Sequence, residues 1–332
     1  MTESSYNSDS DERYCMLIRW LKDSGVSYKN ITAASSDASF RRYFRLYNDV
    51  KTLIAVDAPP EHEDNRRFID IANRLRDSGL HAPEVICYSL ENGFLIVEDL
   101  GDTVLQQALQ SADSKRVDQL YTGAFDCINT MQAKTSTTDL PLFDSKLLTT
   151  EMQLFPDWYL EHHLQYQAKD DEKCVIEAVF KLCLNNASQQ PQTFVHRDFH
   201  CRNLLIRSET VPGIIDFQDA VKGPVTYDPV SLLKDAYIDW PDEFINKFAN
   251  KHRLSLSPVP APEQYDRWFD LMGLQRHIKI LGIFSRLYHR DGKSQYLNDI
   301  PLVLQHIYRT TKKYPELTAF HQLLLKVTST TH

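Results

Sequence analysis

The sequence predicts an α+β chain of two lobes, a small one built on an antiparallel sheet and a larger, mainly helical one. Short apolar segments separated by turn signals crowd the first hundred residues, and helical periodicity dominates from about residue 104 to the end. Between the two regions stands a polar, glycine-ended stretch, Glu98-Asp99-Leu100-Gly101, suited to a crossing between lobes. A chain of 332 residues is long enough to give both lobes substantial cores.

Residues 1–12 are rich in Ser, Asp and Glu and read as a disordered lead-in to a small lobe over 13–97. Apolar residues recur at helical spacing over 14–22, and Ser24-Gly25 closes that helix. Strands are expected at 43–46 and 52–56, with Asn48-Asp49 between them as a hairpin signal. Residues 65–76 read as an amphipathic helix ending at Ser78-Gly79, and 83–88 and 94–97 as two further strands. The small lobe is thus expected to carry one helix across its sheet, with the hinge at 98–101. In the large lobe, 102–332, helices are expected over 104–109, 117–132, 148–163 and 172–184, and again from 229 onward. Short strands between 194 and 217 interrupt them. On a helix over 271–290, Arg276, Lys279, Arg286 and Arg290 share one quarter of the wheel, while Leu274, Ile278, Leu281 and Tyr288 fall nearly opposite.

Composition narrows the class. Hydrophobic residues at 42% and charged residues at 25% are those of a globular protein, and no apolar run approaches the roughly 20 residues of a membrane span. Six cysteines, at 15, 87, 127, 174, 183 and 201, lack paired spacing, which suits reduced thiols and a cytoplasmic location. A formal charge of -8 argues against a nucleic-acid partner. A monomer is expected.

The chemistry concentrates between 194 and 217. Phosphoryl transfer from a metal-bound nucleotide needs a carboxylate to orient and deprotonate the attacking hydroxyl, and an Asn and an Asp to hold the metal on the phosphates. His196-Arg197-Asp198, with Asn203 following at the spacing of a kinase catalytic loop, and Asp216-Phe217 after the next apolar run supply all three. The competing readings are loop-capping carboxylates with a core histidine, or a zinc site from His196, His200 and Cys201. The latter lacks the paired ligand spacing of structural zinc motifs.

These residues, with Asp216-Phe217-Gln218-Asp219, resemble the aminoglycoside phosphotransferase and choline kinase superfamily. The segments at 35–44, 57–60, 155–159 and 215–220 are similar to those of anomeric sugar kinases acting on N-acetylmuramate and N-acetylglucosamine. The resemblance implies a protein-kinase-like fold and ATP-dependent, Mg2+-assisted transfer to the C1 hydroxyl of an N-acetylated amino sugar, giving a sugar 1-phosphate for recycling of cell-wall sugars. It implies Asp198 as base, Asn203 and Asp216 as magnesium ligands, Glu98 to Leu100 against the adenine edge, and Asp228, with His196, as support of the catalytic loop.

The sequence also departs from the kinase pattern. The segment at 35–39, including Ser36, contains no glycine to cover the phosphates, and the strand at 53–57 contains no lysine. Arg41, Arg42, Arg45 or Lys51 is expected to replace that lysine, with Glu63 a candidate acidic partner. The departures also admit a nucleotide-binding module without catalysis. For the acceptor, Trp158 and Tyr159 are expected to meet the sugar face, with Tyr237, Trp240 and Trp268 as further aromatic candidates. Arg276 and Arg286 are expected to receive the carboxylate of N-acetylmuramate; the competing reading is a solvated helix face. An aminoglycoside would want acids for its ammonium groups, and a choline-like alcohol is the other alternative.

Overall fold

The computed structural model of the chain describes residues 11–36, 40–206 and 211–329. Most of the expected lead-in, 1–10, and residues 37–39 of the segment expected over the phosphates lie outside them. Asp11 and Glu12 do not belong to a disordered lead-in: the Asp11 carboxylate accepts the Tyr14 N–H and caps helix α1 (Glu12–Asp23). Strand β1 (Asn30–Ser36) follows, then β2 (Arg42–Tyr47) and β3 (Thr52–Asp57). The last two form the expected hairpin, whose turn is closed by Asn48 Oδ1 accepting the N–H groups of Val50 and Lys51. Helix α2 (Asn65–Asp77), capped by Asp64, and strands β4 (Val85–Ser89) and β5 (Phe94–Glu98) complete an antiparallel sheet of order β1-β2-β3-β5-β4.

Strand β1 escapes sequence reading because Asn-Ile-Thr-Ala-Ala-Ser-Ser carries a single large apolar residue; it lies at the sheet edge and is held by its ladder to β2. The sheet is covered by two helices instead of the expected one. Leu17 and Leu21 of α1 pack with Phe44, Leu46, Leu53 and Ile96, while Phe68, Ile71 and Leu75 of α2 pack with Val56, Leu95 and Val97. That is why the run Phe94-Leu95-Ile96-Val97 is apolar throughout.

The large lobe begins with α3 (Leu105–Gln110), α4 (Ser114–Lys134) and α5 (Ser145–Leu154). The single helix expected over 148–163 changes at Phe155 into a π-helical segment, Phe155–His163. Pro156 has no N–H to continue the α-helical ladder. After α6 (Asp170–Ser188) come four short strands, β6 (Gln192–Val195), β7 (Leu204–Ile206), β8 (Pro212–Ile214) and β9 (Val221–Pro224), paired β6 with β9 and β7 with β8. Helices α7 (Tyr227–Leu233), α8 (Asp242–Ser255), α9 (Pro262–Asp291), α10 (Ile300–Lys313) and α11 (Thr318–Ser329) complete the lobe.

Helix α9 is its spine. It is buried nearly all round from Trp268 to Leu281, so the competing reading of a solvated face does not hold for Arg276 and Lys279: they are 3% and 5% exposed. The basic residues share a face because the interior there is polar, which a helical wheel cannot distinguish from solvent. At Gly282 the backbone of α9 meets the end of α5 so closely that an added Cβ would lie 2.3 Å from the Leu154 carbonyl carbon. Gly282→Ala is therefore expected to lower stability by about 1–3 kcal/mol through overpacking against backbone. Chemical denaturation compared with wild type measures it.

Candidate active site

The site is built where β6 ends. The chain leaves Val195 into a loop that places Arg197 in the left-handed region, φ 76°, which costs energy for a residue with a Cβ. Asp228, in the first turn of α7 and fully buried, accepts the backbone N–H groups of both His196 and Arg197, at 2.8 and 3.1 Å. Arg276 of α9 donates to the Arg197 carbonyl at 2.9 Å, so the turn is held from both sides. Burial pushes the Asp228 carboxyl up to about 7, against the two N–H donors and Arg276.

His196 is fully buried and ties the loop to the following strand turn. Its Nδ1 lies 3.2 Å from the Asp198 N–H and can only accept there, which makes Nε2 the donor to the Ile215 carbonyl at 3.1 Å. Burial lowers its pKa to about 4, so the ring is neutral. With both nitrogens engaged, His196 is not available as a zinc ligand.

The Asp198 side chain faces the cavity and is 36% exposed. Burial would raise its pKa, but Lys279, Arg276, His200 and Arg197 outweigh that and hold it well below the usual carboxylate range. The Arg276 guanidinium stands 3.9 Å from its Oδ1. Asn203 Nδ2 donates to the Asp198 carbonyl and to Asp216 Oδ2, each at 3.0 Å, so the expected base and both expected metal ligands come together. Asp216 is itself left-handed, φ 63°, and accepts from Gln218 Nε2 at 2.8 Å. Next to it, buried Phe217 packs on Phe68 of α2, centroids 5.0 Å apart, and Arg67 donates to the Ala220 carbonyl. The small-lobe helix is thereby docked on the loop that carries Asp216.

Behind Asp198 lies a buried charge network. Glu151 of α5 accepts from Arg197 at 2.5 Å and Gln275 at 3.2 Å and pairs with Lys279 at 3.4 Å; Lys279 and Arg276 also donate to the Tyr227 hydroxyl. These cations keep the Glu151 carboxyl below its ordinary value despite burial. Glu151 and Tyr227 were not expected from sequence, where no spacing singles them out.

A cavity of about 790 Å³ runs between the lobes. One end is a slot walled by Ala34, Ile54, Val97, Leu205 and Ile215 beside the 98–101 crossing, with Asp216 and Asn203 at its inner edge. The other end lies along α9, from Arg276 and Lys279 to Arg286, closed by Asp235, Tyr237 and Tyr296. Comparison with known proteins gives this geometry its family. The chain matches the phosphotransferase enzyme family over residues 30–268.

It belongs to that family. It is 40% identical over 296 residues to the N-acetylmuramate/N-acetylglucosamine kinase of Pseudomonas aeruginosa, covering 88% of this chain and 86% of that one. Identity to the kinase of the same name from Neisseria meningitidis is 34% over 305 residues, 90% of each chain. Among solved structures, an ADP-bound aminoglycoside phosphotransferase aligns with a TM-score of 0.61 at 16% identity, over 88% of this chain and 97% of that one. The choline kinase LicA of Streptococcus pneumoniae aligns at 0.62 and 13%, over 88% and 98%. At such identities the likeness is one of fold, the protein-kinase-like pair of a small antiparallel-sheet lobe and a helical lobe.

In this phosphotransferase the small-lobe candidates are dispersed. Residues 42, 44 and 46 of β2 turn toward α1 while Tyr43 and Arg45 turn to the cavity, so Arg42 does not line it; it pairs with Asp57, Nε to Oδ2 2.9 Å, and with Asp11. Arg41 is buried, pairs with Glu63 at 3.0 Å and lies over the Phe68 ring, and it does not line the cavity either. Arg45 does, tied to Asp99 at 2.7 Å, and Lys51 is exposed in the hairpin turn. Ser36 ends β1 opposite Arg42; its side chain lies outside the description. The Glu98 carboxylate turns to Arg76, leaving its backbone and that of Leu100 on the cavity side. Of the two aromatics expected at the sugar, Tyr159 is in the core, 1% exposed, Trp158 stacks on His162, and neither lines the cavity. The cavity-facing side of α5, Thr150, Glu151 and Leu154, ends where the π-helical segment begins. Arg276 and Arg286 both line the cavity.

Acid stability follows from the buried histidines. His196, His252 and His306 have folded pKa values of about 4, about 3 and about 4, all lowered from 6.5 chiefly by burial. Such groups stabilise fully above the unfolded pKa and lose that contribution as pH falls toward the folded value. Asp228, raised from 3.8 to about 7, works the other way, stabilising at acid pH and losing its contribution as pH rises through about 7. His277, lowered well below its ordinary value by burial, and His200 act in the same direction as the three histidines, so unfolding near pH 5 takes up at least roughly two protons net of Asp228 and stability is expected to fall there by ~2–3 kcal/mol per pH unit or more. Urea unfolding midpoints between about pH 7 and pH 5 measure the slope.

Proposed function

We propose that this phosphotransferase moves the γ-phosphoryl group of ATP to the C1 hydroxyl of N-acetylmuramate and N-acetylglucosamine, in the recycling of cell-wall sugars in a bacterial cytoplasm. The observation that carries the reading is Asp198 beside the Asn203–Asp216 pair on the floor of a cavity whose far end is lined with cations, in a chain 34–40% identical to kinases named for these two sugars.

Asp198 accepts the proton of the attacking hydroxyl. Its depressed pKa makes it a weak base, which is sufficient where the transition state is loose and little proton transfer precedes P–O cleavage. An anomeric hydroxyl, made more acidic than an ordinary alcohol by the ring oxygen, suits such a base. Asn203 and Asp216 offer hard oxygen donors and fit a magnesium ion. Asn203 and Asp216 would hold that ion, which would supply neutralisation of the phosphate charge. Arg276 and Lys279 keep Asp198 ionised and stand where negative charge gathers on the transferred group. The backbone of Glu98 to Leu100 serves the adenine edge and the apolar slot its faces. Glu151 and Asp198 are committed to cations of the protein.

An ATP-consumption screen over both sugars, aminoglycosides and choline, with phosphorus NMR of the product, tests the reading; no sugar turnover, or phosphate on a hydroxyl other than C1, overturns it. Asp198→Asn is expected to lower kcat by ~100- to 10,000-fold with nucleotide affinity nearly unchanged. Unimpaired turnover in that variant removes Asp198 from the role of base.

A further inference from the structure

The cations that line the cavity fall into two groups. Arg45 pairs with Asp99, Arg197 and Lys279 with Glu151, and Arg276 with Asp198, while Arg202 donates to Gln106 and lies over the Tyr237 ring. Arg286 stands apart. Among the described residues no carboxylate lies within ion-pair distance of it, and its Nε is buried without a hydrogen-bond partner on a half-buried residue.

Its electrostatics point the same way. Burial and the neighbouring Arg290 lower the Arg286 pKa, only partly offset by Asp291, whereas the guanidinium groups of Arg45, Arg197 and Arg276 are raised by the acids beside them. A half-buried guanidinium without a counter-ion, facing a ligand cavity, is a cost that an anionic ligand group would offset.

Position selects which group. Arg286 lies ten residues beyond Arg276 on α9, ~15 Å along the helix axis. That separation leaves room between them for a sugar ring that carries a carboxylate substituent on C3. Ile283, Leu287 and Tyr296 line the cavity on the same side and form an apolar wall against which the methyl of such a substituent can pack.

We infer that Arg286 receives the lactyl carboxylate of N-acetylmuramate and so sets the preference between the two amino sugars, one bearing that carboxylate and the other not. The inference rests on the proposed C1 chemistry, since it is C1 at Asp198 that directs the C3 substituent along α9.

Steady-state kinetics of wild type, Arg286→Leu and Arg286→Lys on N-acetylmuramate, its carboxamide and N-acetylglucosamine test it. In Arg286→Leu the loss of kcat/KM on N-acetylmuramate is expected to exceed the loss on N-acetylglucosamine by about tenfold or more, carried by KM. Wild type is expected to favour the acid over its carboxamide and Arg286→Leu to treat them alike, with Arg286→Lys between. Turnover of N-acetylglucosamine reports that the variants are folded. Equal losses on both sugars, or undiminished discrimination between acid and carboxamide, overturn the assignment of Arg286 while leaving the sugar-kinase reading intact. Failure of wild type on every sugar overturns both.

Discussion

The acceptance of two consecutive backbone N–H groups by Asp228 is the constraint on which the site depends. The turn at His196-Arg197 requires a left-handed backbone at a residue with a large side chain, and nothing local favours it. Asp228 supplies both missing partners from the start of α7, where the helix end also favours negative charge. Leaving two buried N–H groups unpaired would cost ~1–3 kcal/mol each, comparable to the strain being held. Because His196 Nδ1 accepts from Asp198 and Nε2 donates to the Ile215 carbonyl, the same brace fixes the carboxylate of Asp198 relative to the turn that carries Asp216.

Around that brace the large lobe encloses more charge than a core normally tolerates. Arg197, Arg276 and Lys279 are met by Glu151, Asp198 and the Tyr227 hydroxyl, and removing any single member would leave an uncompensated buried charge or donor. The network exists because α9 passes directly behind the catalytic loop, and it passes there because Gly282 allows the backbones of α9 and α5 to touch. A packing detail thus positions the electrostatics of Asp198.

The two lobes are joined by more than the 98–101 crossing. Phe217 on Phe68, Arg67 on the Ala220 carbonyl, and Arg74 on the carbonyls of Ser136 and Thr138 hold α2 against the large lobe. The turn that carries Asp216 and the small-lobe helix therefore share one packed unit, and Phe68 and Phe217 of that unit both line the cavity.

Much of this was legible in the sequence. The strand-and-turn signals of the small lobe, the helical period of the large lobe, and the spacing of Asp198, Asn203 and Asp216 all depend on interactions within short segments, which local pattern records. The missed features are those decided across the chain. Polar β1 exists only through its ladder to β2, and Arg42 faces α1 because strand alternation points it there. Tyr159 is core because Pro156 changes the helix type. Most consequentially, a helical wheel showed that Arg276, Lys279 and Arg286 share a side of α9 but not that this side faces the catalytic loop. Sequence by itself determined which residues could perform phosphoryl transfer. Only tertiary packing decided which charges surround them, because the environment of a charge is set by whatever element arrives opposite it.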